Sequence, residues 1–113
     1  MSWQIEHGEL ICNGQIVDFD LPIFKAIEIS GIIVVVLDVP RNQSMTENVL
    51  GVLPNGTLVW QIEKIPDLSM HPANCYTGVR EGPSGTAIVF NWSCIDVTID
   101  VKTGKVLDSR ITK

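Results

Sequence analysis

Clustered positive charge is missing from this chain. Its eight Lys and Arg residues are scattered among thirteen Asp and Glu, leaving a net charge of −5 at pH 7. Gripping a nucleic-acid backbone requires Lys and Arg gathered on one surface. Nucleic acid is therefore excluded as a partner, and an anionic membrane surface with it. Long apolar runs are missing too. The longest, "GIIVVVL" from Gly31 to Leu37, falls far short of the roughly 20 residues that span a bilayer as a helix. Met1 to Leu10 has no basic stretch leading into an apolar one, so no signal peptide is expected and cytoplasmic residence is. The three cysteines (Cys12, Cys75, Cys94) are odd in number, widely spaced and without a C-x-x-C pair. Neither a disulfide framework nor a zinc knuckle follows from them; buried reduced thiols do. The glycines sit at turns, and no Gly-rich loop opens a helix, so no phosphate-binding loop and no cofactor are expected.

The dominant pattern present is a period of two in β-branched residues. In "IDVTIDV", Ile95, Val97, Ile99 and Val101 alternate with Asp96, Thr98 and Asp100, the signature of a half-exposed antiparallel strand. Asn13-Gly14, Asn55-Gly56 and Thr103-Gly104 each separate two such strands. Asn-Gly favours the type I′ hairpin turn, because both residues tolerate positive φ. "IIVVVL" (Ile32 to Leu37) and "AIVFNW" (Ala87 to Trp92) are apolar at nearly every position, which marks strands covered on both faces. Each follows a Gly-containing turn and an earlier strand, "FKAIEI" or "CYTGVRE". The chain therefore repeats one unit: strand, turn, apolar strand, connection, strand, Gly turn, strand. Gly56 and Gly104, in the two last turns, lie 48 positions apart.

One domain is expected at 113 residues, divided into an N-terminal hairpin (1–22), a first unit (23–63) and a second unit (75–111). The fold class is all-β: an antiparallel meander in which two four-stranded sheets pack together, with the N-terminal β-hairpin (Trp3 to Phe19) added. The expected core comprises Ile33, Val35, Leu37, Val52, Leu58, Ile88, Phe90, Val97 and Ile99. "KIPDLSMHPAN" (Lys64 to Asn74), with its two prolines, reads as a loop with room for one helical turn at Asp67 to Met70.

A four-stranded meander ending in "DVKTGKVL" resembles a blade of the quinoprotein-type β-propellers. "VLPNGTLVWQI", with Trp60 in its last strand, is similar to a variant of the same blade. The resemblance implies blade-like sheets. It implies no closed ring, because closure takes about four or more blades and two units fit here. It also implies no cofactor or metal site, since the family's channel-lining residues have no counterparts in this sequence.

Two functional classes remain. In the first, the protein is a non-catalytic binding or assembly module. A mean hydropathy of +0.24 without a membrane segment suits a domain that buries apolar surface against another chain. A homodimer or higher closed oligomer is the expected partner arrangement, with Trp60 or Trp92 as interface candidates. In the second, "MHPANCY" supplies His71 and Cys75 for a small Cys/His enzyme, with Asp67 and Asn74 nearby. A nucleophilic Cys needs a base to form thiolate and a polar group to orient that base. The same two residues supply only half of a zinc site, and His7, Cys12 and Cys94 would have to converge on them from separate strands, so no metal is expected.

Overall fold

The computed structural model describes residues 3–40, 47–63, 75–91 and 95–111. They form eleven strands: β1 (Trp3–Glu6), β2 (Glu9–Cys12), β3 (Gln15–Val17), β4 (Ile23–Ile29), β5 (Ile32–Leu37), β6 (Val49–Val52), β7 (Leu58–Gln61), β8 (Tyr76–Glu81), β9 (Thr86–Asn91), β10 (Ile95–Asp100) and β11 (Val106–Ile111). Among the described residues there is no helix. All pairings are antiparallel, in three sheets ordered β1-β2-β3, β4-β5-β6-β7 and β11-β10-β9-β8. The fold is thus the expected all-β meander. The expected helical turn at Asp67 to Met70 lies outside the described residues.

The sheets stack in three layers because β5 is apolar in both directions. Ile32, Val34 and Val36 join Tyr76, Val79, Ala87, Val89, Val97, Ile99 and Val101 in one core between the two four-stranded sheets. Ile33, Val35 and Leu37 point the other way and join Leu10 and Cys12 of β2 in a second core. Every residue of β5 is buried. The N-terminal segment covers this second face with three strands rather than two. The Asn13-Gly14 hairpin is there, and β1 joins it through a turn at His7-Gly8, where both residues have positive φ (52° and 77°). Ile23 N–H donates to Gly8 O at 2.8 Å, and Trp3 Nε1 donates to Glu28 Oε1 at 2.6 Å, which fastens this sheet to β4.

Turn chemistry differs from the sequence expectation in two places. Asn13-Gly14 takes the double positive φ of a type I′ turn, as do Ser30-Gly31 and Ser84-Gly85. At Asn55-Gly56 only Gly56 is left-handed (φ 97°), and Gly56 N–H returns to Leu53 O at 2.8 Å. Pro54, with its φ fixed near −65°, suits the first central position of the ordinary turn that results. At Thr103-Gly104 the loop is longer: Gly104 N–H reaches Asp100 O at 2.7 Å, and the strands rejoin at Asp100 N–H to Lys105 O.

The two four-stranded units share their irregularities. In the first strand of each, one extra residue bulges: Phe24 in β4 and Thr77 in β8. In the last strand of each, Val59 and Leu107 bulge in the same way. A bulge breaks the period of two, which corrects one core expectation: Leu58, ahead of the Val59 bulge at the start of an edge strand, is 55% exposed. Ile88 and Phe90 are also corrected to half-buried. On β9 the buried parity is Ala87, Val89 and Asn91.

Candidate functional site

The cavity that holds a cysteine singled out from sequence lies where the bulged ends of β4 and β8 meet. Phe24, Leu37, Asp38, Val39, Cys75 and Thr77 line a cavity of about 110 Å³ there. Phe24 and Thr77 are the bulged residues of these two strands. Cys75, singled out from sequence, is half-buried and free. Burial pushes its thiol pKa up, the backbone hydrogen bond at Cys75 pulls it partly back, and the negative charge of Asp38 pushes it up again. An activated cysteine needs the opposite, a cation or a helix N-terminus that favours thiolate. His71 lies outside the described residues, as do Trp92 and Cys94. The other histidine, His7, stands in the β1–β2 turn. Among the described residues no group of three His, Cys, Asp or Glu side chains is placed to hold a metal ion.

Beside the cavity, Asn48 clamps the two four-stranded sheets together. Its side chain is fully buried, with Nδ2 donating to Leu37 O (2.9 Å) and Tyr76 O (2.8 Å) and Oδ1 accepting from Tyr76 N–H (2.9 Å). One amide thus serves three backbone groups of β5 and β8. Tyr76 itself is buried, and its hydroxyl has no hydrogen-bond partner among the described residues. Burial, and then the charge of Glu47, push its pKa well above the ordinary phenol value. Sequence reading misses Asn48, because it ends a polar connection where no periodicity signals burial.

Trp60, an interface candidate from sequence, is taken up by the protein's own core. Its indole fills a slot between Gly51 of β6 and Gly104 of the β10–β11 loop, and Nε1 donates to Val101 O at 2.6 Å. The ring therefore spans both four-stranded sheets. On the outer face of the last sheet, Phe90 lies over Gly78 with the Arg80 guanidinium 5.7 Å from its ring centre. Arg80 also pairs with Asp96 at 2.8 Å.

The exposed apolar side chains have one distribution. Ile5, Ile16, Phe24, Leu58, Val59 and Leu107 are the large hydrophobic residues left in solvent among those described. They belong to β1, β3, β4, β7, β7 and β11, all edge strands. Interior strands carry none.

No helix among the described residues is long and apolar enough to cross a membrane. Comparison with curated proteins finds no match. Residues 1–111 match the model of a family described as a domain of unknown function (DUF7957), and the chain belongs to that family.

Proposed function

We propose that this protein is a non-catalytic assembly module of the cytoplasm whose edge strands meet another protein, in the first instance a second copy of itself. One observation carries the reading: every exposed large hydrophobic residue among those described lies on an edge strand. Isolated apolar residues on a surface need no explanation. Their confinement to edges does, because an edge strand already offers unpaired N–H and C=O groups to a partner, and an apolar side chain there adds surface that pairing can bury. The paired meanders with matching bulges support the likeness to propeller blades, here used as an open stack rather than a ring. Free thiols at Cys12 and Cys75 suit a reducing compartment.

The test is sedimentation velocity across a hundredfold range of concentration. A mass that rises toward twice the chain mass supports the reading, and a constant monomer mass refutes it. A Cys/His enzyme would instead require a thiol poised to react. The raised pKa of Cys75 predicts slow alkylation by iodoacetamide at neutral pH, no faster than a small-molecule thiol, and fast alkylation would favour the enzyme.

A further inference from the structure

We propose that two copies join at β11, edge to edge and antiparallel, about a two-fold axis through Ser109. This rests on the assembly reading above and names its seam. Among the described residues, β11 has β10 as its sole strand neighbour. Its first N–H, on Val106, is taken by Glu63 Oε1 at 2.9 Å. Leu107, the bulged residue that follows, is 55% exposed.

The sequence of this edge is complementary to its own reverse. Leu107-Asp108-Ser109-Arg110-Ile111 reads apolar, acid, serine, base, apolar. Antiparallel pairing about Ser109 sets Asp108 of each copy against Arg110 of the other, twice. Residues directly opposite in an antiparallel ladder point to the same face, so a two-fold pairing can match an acid with a base only if they are an even number apart. Asp108 and Arg110 are two apart, and their side chains already lie together, with Nη2 to Oδ2 at 3.0 Å. None of the other five edge strands meets this condition. Lys25 and Glu28 of β4 are three apart, Arg80 and Glu81 of β8 are adjacent, and β1, β3 and β7 lack one or both charges. Both charged side chains are more than half exposed, so bringing them together desolvates neither deeply. Opposite charges placed directly across a ladder favour pairing, and like charges oppose it. The seam is short, so the dimer is a weak, concentration-dependent one.

Ser109→Cys tests the axis. Two Cα atoms directly opposite in an antiparallel pair are about 4.5 or 5.5 Å apart, inside the range a disulfide spans. Under mild copper-catalysed air oxidation this variant is expected to give a covalent dimer that dithiothreitol reverses. Arg110→Cys, which would face Asp108, and the wild-type chain treated alike are expected to stay uncrosslinked. Arg110→Glu sets like charges opposite twice and is expected to weaken the dimer about tenfold or more. Asp108→Arg combined with Arg110→Asp restores complementarity and the dimer. These positions are exposed, so melting temperatures should match wild type, which separates loss of assembly from loss of folding. A wild-type dimer that Arg110→Glu leaves intact, with no Ser109→Cys crosslink, overturns the seam while the assembly reading stands. A wild-type monomer at every concentration overturns both.

Discussion

Replacing Gly51 with alanine tests how the two four-stranded sheets are held together. A methyl group at position 51 would overlap Cε2 and Nε1 of Trp60. Carbon atoms touch at about 3.5–4.0 Å, so the ring cannot stay. It cannot slide the other way either, because a Cβ at Gly104 would stand only 2.6 Å from Cδ2: the slot has no slack on that side. Expelling the indole uncovers roughly 150–250 Å², worth about 4–6 kcal/mol at ~25 cal/mol per Å². The hydrogen bond to Val101 O is lost with it, at about 1 kcal/mol net. A partly displaced ring keeps some of this, so the expected loss is about 3–5 kcal/mol. That is a large share of the roughly 5–15 kcal/mol that holds a domain folded.

Gly14 supplies the contrast. It has φ +80°, and nothing stands within 4 Å of the place a methyl group would take, so alanine there incurs only the left-handed backbone, about 1–2 kcal/mol. Backbone reasoning alone ranks Gly14→Ala as the worse change; packing ranks Gly51→Ala as the worse. In a Trp60→Val background the slot is empty. Gly51→Ala should then cost nothing, or stabilise by about 0.5–1 kcal/mol, since glycine within a strand is the more flexible residue when unfolded. Urea unfolding followed by far-UV circular dichroism measures all four corners of this cycle, with trimethylamine oxide in every arm to keep the Trp60→Val chains folded. Equal costs of Gly51→Ala in both backgrounds, or a cost below that of Gly14→Ala, would refute the slot.

Three further outcomes are expected. Asn48→Ala strands two buried carbonyls and one N–H at about 1–3 kcal/mol each, so it should lose at least ~3 kcal/mol in urea melts and speed amide exchange at Tyr76. Val35→Asp, which places a charge in a fully buried position of β5, should yield no folded soluble protein; an ordinary melting curve would contradict the three-layer core. Cys12, Cys75 and Tyr76 all have folded pKa values raised above their ordinary ones. The unfolded chain therefore releases these protons first as pH climbs, and stability falls above about pH 9. Cys75→Ala should make that fall shallower in urea melts compared at neutral and alkaline pH, and an unchanged slope would contradict it.

Much of the fold is legible in the sequence because its signals are local. "IDVTIDV" carries both the strand and its buried parity, with Val97, Ile99 and Val101 fully buried. Asn13-Gly14 marks a true type I′ turn. Where both faces of a strand are apolar, local pattern cannot choose between them. On β9, Ile88 and Phe90 are larger than Ala87 and Val89, yet the smaller pair packs between the sheets. Phe90 faces outward, covering Gly78 and carrying Arg80 on its ring. Leu58 escapes sequence reading because the Val59 bulge is a property of pairing with β6 and leaves no mark in β7 itself. The cavity beside Cys75 is half legible. The cysteine stands out by type, whereas Phe24 and Asp38 meet it only through the stacking of two sheets.

That stacking also bears on where the proposed second copy would bind. Pattern alone predicts that one face of "IIVVVL" or "AIVFNW" needs cover from another chain. β1 to β3 supply the cover for β5 from within, with Leu10 and Cys12 seated against Ile33, Val35 and Leu37. The outer face of β9 is shielded less completely, but Arg80 bridges Phe90 and Asp96 across it, which makes that face a charged surface. A partner that settled there would have to desolvate a guanidinium and a carboxylate together, at a cost that often exceeds their mutual attraction. The surplus of apolar surface is instead at the edges, where Phe24, Val59 and Leu107 are the bulged residues and Leu58 starts β7. If two copies assemble as proposed, pairing at the β11 edge would bury Leu107 while leaving the charged face of β9 in water, which is the reason for placing the seam at an edge.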